Sequence, residues 1–99
     1  MEFLTNQTMI VPEDIDEATV EDTKAREYAR VTELARQGHL LRLWRPPAKP
    51  GEWRTFGLYR ADDEQHLNEI LDTLPLRTWM TLKITPLSPH PYDPAAKKA

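Results

Sequence analysis

The chain has 99 residues, enough for one domain with a modest core. A net charge of −3 argues against nucleic acid as a partner, because phosphates call for a basic surface. The absence of cysteine excludes disulfides, thiolate catalysis and cysteine-based metal sites.

Residues 2–11, EFLTNQTMIV, alternate loosely and are rich in β-branched types, which predicts a strand stopped by Pro12. The opening residues carry no basic leader, and no stretch of the chain nears the ~18 apolar residues of a membrane span. A cytoplasmic protein without membrane contact is expected. Asp14, Ile15 and Asp16 offer N-caps for a helix running from Glu17 to Gln37, with Gly38 suited to the position just past its end. On a helical wheel Val20, Tyr28, Val31, Leu34 and Ala35 gather on one arc, and Asp22, Arg26, Arg30, Glu33, Arg36 and Gln37 on the other. Glu27 and Lys24 break this division, since Val20, Lys24, Glu27, Val31 and Leu34 form one seam. A carboxylate in the middle of a core-facing seam is costly unless it is paired or has a chemical task.

His39–Arg45 reads as a second strand, and the proline-rich segment 46–51 as the loop after it. Glu52–Tyr59 is the third strand, where Gly57 marks a bulge or a close backbone approach. Asp62 or Asp63 caps a helix over residues 63–74 with Leu67, Ile70, Leu71 and Leu74 as its buried stripe, and Pro75 ends it. Trp79–Thr85 gives the fourth strand, with Met80, Leu82 and Ile84 on one face. From Pro86 on, recurring prolines and a Lys-Lys end predict an extended stretch.

The order β-α-β-β-α-β makes an α+β, ferredoxin-like domain: a four-stranded antiparallel sheet with two helices on one face. One domain is expected over residues 1–91, followed by an extended or disordered tail at 92–99. The second sheet face carries Phe, Leu and Trp side chains and needs a cover, for which a second copy, sheet against sheet, is expected.

Several segments together resemble the muconolactone Δ-isomerase family. They are Met1-Glu2-Phe3-Leu4, Lys24-Ala25-Arg26-Glu27, Gln37-Gly38 leading to Leu43-Trp44-Arg45, Leu67-Asn68-Glu69-Ile70-Leu71 with Leu74-Pro75-Leu76, Thr85-Pro86-Leu87 and His90-Pro91. The resemblance implies ferredoxin-like subunits that pair their sheets and assemble further, up to decameric rings. It implies a cofactor-free 1,3-proton shift on a small lactone acid in the β-ketoadipate branch of aromatic degradation, in a pocket between helices and sheet. The segment Leu40–Arg45 departs from the family's usual Trp-Arg-(His or Tyr)-Leu-Trp-Arg. That departure keeps open a related cofactor-free enzyme, a monooxygenase or cyclase, and a ligand-binding member without catalysis.

For such chemistry Glu27 is the candidate base and Lys24 its catalytic neighbour. A partly buried carboxylate has its pKa raised toward neutrality, which suits both taking a proton and returning it. An internal Lys24–Glu27 ion pair is the alternative use of both residues. Arg45 and Lys24 are expected to hold a substrate carboxylate and to stabilise an enolate-like intermediate. Arg42, Trp44 and Tyr28 complete the substrate-binding set, with Leu40, Arg42 and Trp44 expected on one sheet face. Trp44 and Trp53 suit a pocket wall, a core or an interface equally. His39, His66 and His90 show no ligand-pair spacing, so no metal is expected, and the resemblance implies no cofactor. Ser88 is the sole serine and Gly38, Gly51 and Gly57 make no phosphate loop. The same element order occurs in RNA-recognition motifs, and Arg54–Tyr59 is faintly like their aromatic segment, but the acidic balance opposes that reading.

Overall fold

Alternation in the first segment produces strand β1, Glu2–Met9, with Phe3, Thr5, Gln7 and Met9 buried and Glu2, Leu4, Asn6 and Thr8 on the other face. The structure, a computed structural model, describes residues 1–95. β1 is two residues shorter than the expected 2–11. Ile10 still donates a 3.0 Å bond to the Trp79 carbonyl, and Val11 and Pro12 then leave the sheet.

Helix α1 spans Glu17–Arg36. Asp16 caps it: its side chain accepts from the Thr19 N–H at 2.8 Å, a contact worth about 1 kcal/mol. At the other end Gly38 adopts φ 85°, and the Gly38 and His39 N–H groups donate to the Ala35 and Leu34 carbonyls at 3.1 and 3.0 Å. This double bond is the glycine-terminated stop that a left-handed residue permits. The inward side of α1 differs from the wheel. Leu34 and Thr23 are buried, Val20, Glu27 and Val31 half-buried, while Tyr28 is 74% exposed and Ala35 is exposed. The contact line runs through Thr23, Glu27, Val31 and Leu34, one residue off the arc of Tyr28 and Ala35. Thr23 tolerates burial because its hydroxyl donates to the Thr19 carbonyl at 2.8 Å.

Strand β2, Leu40–Trp44, pairs antiparallel with β3, Trp53–Arg60. β3 pairs with β1, and β1 with β4, Met80–Leu87, giving the order β2-β3-β1-β4. Helix α2 is Glu64–Leu71, capped by Asp63 through the His66 N–H at 2.8 Å. It is shorter than the expected 63–74, because the chain leaves it for a 3₁₀ turn at Pro75–Trp79. β4 continues through Pro86 to Leu87, past the point where an extended segment was expected. As an edge strand it has no further neighbour needing the missing proline N–H. Residues 92–95 are exposed or half-buried turn, and 96–99 of the expected tail lie outside the described residues.

Both helices lie on one face of the sheet, the ferredoxin-like arrangement. Leu67, Ile70 and Leu71 of α2 join Phe3, Leu34, Leu40, Leu74 and Leu76 in one apolar cluster. Each such side chain taken fully from water contributes roughly 1.5–3 kcal/mol. Met80, Leu82 and Ile84 share the helix-facing side of β4, opposite Met9, Gln7 and Thr5 in register.

Candidate active site

Two irregularities in the sheet shape the site. In β2 the register shifts between Leu40 and Arg42: Leu40 pairs with Tyr59, but Arg42 pairs with Leu58. One extra residue, Leu41, reverses the alternation that follows. Leu40 therefore faces the core, Arg42 and Trp44 face the uncovered side, and Leu43 and Arg45 turn toward α1. The expectation that Leu40, Arg42 and Trp44 share a face is thus corrected. Arg42 and Trp44 stack on each other, the guanidinium 5.0 Å from the ring centroid, away from the helices. The second irregularity is Gly57, which marks a close approach rather than a bulge of its own strand. A Cβ there would meet Tyr59 Cε1 at 2.7 Å and Thr5 Oγ1 at 2.8 Å.

Between α1 and the sheet these features leave a cavity of about 500 Å³. Its buried end is lined by Gln7, Met9, Tyr59 and Leu76, and its open end by Lys24, Tyr28, Arg45 and Trp53. Glu27 is the only carboxylate lining it among the described residues. An adjoining concavity of about 490 Å³ shares Lys24, Arg45, Trp53 and Thr55, so both cations stand where the two meet.

Glu27 enters this cavity half-buried. Its Oε1 accepts a 3.0 Å bond from the Leu76 backbone N–H. Burial raises the Glu27 pKa above the ordinary carboxylate value, and the Leu76 bond acts against that rise. Lys24 does not pair with Glu27. It reaches Glu21, one turn earlier, at 3.3 Å, and its ammonium lies 5.3 Å from the Trp53 ring centroid. Arg45 is exposed at the cavity mouth and forms no salt bridge among the described residues. Tyr59 is 1% exposed, and burial pushes its phenol up to about 12, with the Gln7 side chain lowering it and the Glu27 charge raising it.

Of the residues expected at a site, Glu27, Lys24, Arg45, Tyr28 and Trp53 therefore meet at one cavity, and Arg42 and Trp44 do not. The sequence reading missed Gln7, Thr55, Tyr59 and Leu76. A signal existed for Gln7: it occupies an inward position of β1, between Thr5 and Met9, where an apolar residue is the usual choice. Leu76 had none, since a backbone N–H carries no sequence signature. Among the described residues no group of three or more His, Asp or Glu side chains is placed to hold a metal ion. No helix among them is long and apolar enough to cross a membrane.

The profile of the muconolactone delta-isomerase family matches residues 1–93. The chain belongs to the muconolactone delta-isomerase family. Relatives agree with this family assignment. The muconolactone delta-isomerase of Cupriavidus pinatubonensis is 31% identical over 91 residues, covering 92% of this chain and 96% of its own. That of Rhodococcus opacus is also 31% identical over 91 residues, covering 92% and 95%. A crystal structure of muconolactone isomerase superposes with a TM-score of 0.86 at 25% identity, covering both chains completely. A 5-chloro-2-hydroxyhydroquinone dehydrochlorinase from Burkholderia phenoliruptrix shares the fold at a TM-score of 0.64 and 13% identity, over 89% of this chain and 94% of its own. In this member of the muconolactone isomerase family a carboxylate and two cations surround one cavity on the helix side of the sheet.

Proposed function

We propose that the protein is a cofactor-independent isomerase acting on muconolactone or a closely related small lactone acid. The observation that carries this reading is the Glu27 carboxylate, set half-buried in the cavity wall with its pKa raised and with Lys24 and Arg45 at the same cavity. Family membership supports an isomerase.

In this reading Arg45 holds the substrate carboxylate at the mouth, where its planar fork matches two oxygens. The lactone ring then enters toward the sheet. Glu27 removes a proton from a ring carbon conjugated through a C=C bond to the lactone carbonyl. The electron pair moves onto the carbonyl oxygen as an extended enolate, which Lys24 stabilises. Glu27 returns the proton two carbons along, and the double bond has shifted with no other group gained or lost. One carboxylate can do both steps because burial raises its pKa, which favours holding the proton between the two transfers. Oε1 stays on Leu76 N–H while Oε2 faces the chemistry.

The same reading includes a dimer. Leu4, Phe56 and Leu58 lie half-buried, and Trp44 and Leu87 exposed, on the helix-free side of the sheet, where a second copy is proposed to pack. A light-scattering mass tests that part by itself.

Turnover of muconolactone in deuterated buffer tests the whole. Isomerised lactone, carrying solvent deuterium only to the extent that the Glu27 carboxyl proton exchanges before it is returned, is the expected product, and its formation is expected to be lost in Glu27→Gln with the fold retained. Full activity in Glu27→Gln overturns the base assignment.

A further inference from the structure

Three polar side chains occupy positions on the sheet where apolar ones would pack at lower cost. Thr5 is 0%, Gln7 4% and Tyr59 1% exposed. They are joined. The Thr5 hydroxyl donates to the Gly57 carbonyl at 3.4 Å, and Gln7 Nε2 donates to Thr5 Oγ1 at 2.8 Å. The Gln7 side chain also lies beside the Tyr59 phenol and acts to lower its pKa, against the rise that burial imposes. The chain of donors reads Gln7 Nε2 → Thr5 Oγ1 → Gly57 carbonyl, with the Tyr59 phenol beside its Gln7 end. Thr5 spends its hydroxyl proton on Gly57 and Gln7 spends an amide proton on Thr5, and the Tyr59 hydroxyl stands outside these bonds. Gln7 and Tyr59 line the cavity that holds Glu27, and Tyr59 feels Glu27 as a charge, not as a hydrogen-bond partner. Glu27 Oε1 is engaged by Leu76 instead.

We propose that Thr5, Gln7 and Tyr59 form an oxygen-recognition element on the floor of the cavity. The Tyr59 hydroxyl donates to the carbonyl oxygen of the bound lactone, while Gln7 and Thr5 are positioning residues. This deepens the isomerase reading and rests on it. It adds a neutral, buried donor on the sheet for the enolate oxygen to the charge that Lys24 supplies, and leaves the substrate carboxylate to Arg45. A neutral phenol suits that role, since it stays protonated across the working range and adds no net charge beside the base. It also sets specificity. A buried donor left unpaired disfavours a ring acid that lacks the oxygen.

Two unreactive ligands test this by calorimetry: saturated γ-butyrolactone-4-acetic acid and cyclopentaneacetic acid, which keeps the ring and carboxylate without ring oxygens. The wild-type protein is expected to bind the lactone acid about five- to tenfold more tightly. Tyr59→Phe is expected to abolish that preference, leave the cyclopentane acid's affinity unchanged, and lower kcat by about 10²-fold with little change in KM. Gln7→Met keeps the phenol but loosens it, and is expected to reduce the preference in the same direction. It serves alone if Tyr59→Phe does not fold. Equal affinity of the wild-type protein for the two acids, binding of neither, or an unchanged preference in the variants overturns the proposal. Turnover that needs Glu27 but is indifferent to Tyr59→Phe overturns it while the base assignment stands. A Tyr59-dependent preference in a protein without turnover does the reverse.

Discussion

The Glu27 carboxylate accepts a 3.0 Å hydrogen bond from the backbone N–H of Leu76, 49 residues further along the chain. Leu76 follows Pro75 in a 3₁₀ turn whose N-cap residue, Leu74, supplies no side-chain cap. Glu27 therefore caps that turn from a different element. The bond ties α1 to the entry of β4 and fixes one carboxylate oxygen, which turns a half-buried charge into an oriented group.

Glu27→Gln preserves an acceptor for Leu76 N–H and removes the base. Isomerase turnover is expected to fall by roughly 10²–10⁴ with the melting curve little changed. Glu27→Leu also removes the acceptor and leaves the Leu76 N–H unpaired, a loss of about 1–3 kcal/mol set against relief of the buried charge. Comparing turnover and unfolding of the two variants separates chemistry from capping.

The raised pKa of Glu27 has a defined sign in stability. The folded state holds this proton more tightly than the unfolded chain, whose value lies near the ordinary 4.5. The associated stability is fully present below the unfolded value and is lost as pH rises through the higher folded value. Glu27→Gln cannot ionise, so its stability relative to wild type is expected to increase as pH rises from below 4.5 through the higher folded value in denaturant titrations. Activity runs the other way. The acid limb of kcat/KM is expected above the 4.5 of an ordinary glutamate, because only the carboxylate takes a proton. An acid limb at or below that value contradicts Glu27 as the base.

Arg45 and Arg42 are three residues apart and face opposite sides of the sheet. Arg45→Ala is expected to raise KM for a lactone acid by about tenfold or more, the loss of a charge-assisted contact. Arg42→Ala is expected to leave KM unchanged. Steady-state kinetics on the pair decides it, and equal effects would contradict the face assignment.

Gly57→Ala places a methyl group 2.7 Å from the Tyr59 ring and 2.8 Å from the Thr5 hydroxyl. Both neighbours are fully packed, so the strain is expected to cost about 1–3 kcal/mol in chemical denaturation and to lower turnover with it.

Local pattern was enough for much of this fold. The element order, the Asp16 and Asp63 caps, the Gly38 stop and the inward placing of Glu27, Val31 and Leu34 all follow from periodicity and from residues whose conformational needs are met within a few positions, while Thr23 and not Lys24 continues that line. The tertiary structure alone decided the rest. A single bulged residue, Leu41, reversed the faces of Arg42 and Trp44, since strand alternation has a period of two and one insertion inverts it. The partner of Glu27 is a backbone N–H 49 residues away, and the lysine beside it turns to Glu21. Thr5, Gln7 and Tyr59 converge only because β1 and β3 pair in the register that sets Thr5 opposite Gly57. Contacts across elements depend on register and facing, which no local run of residues encodes.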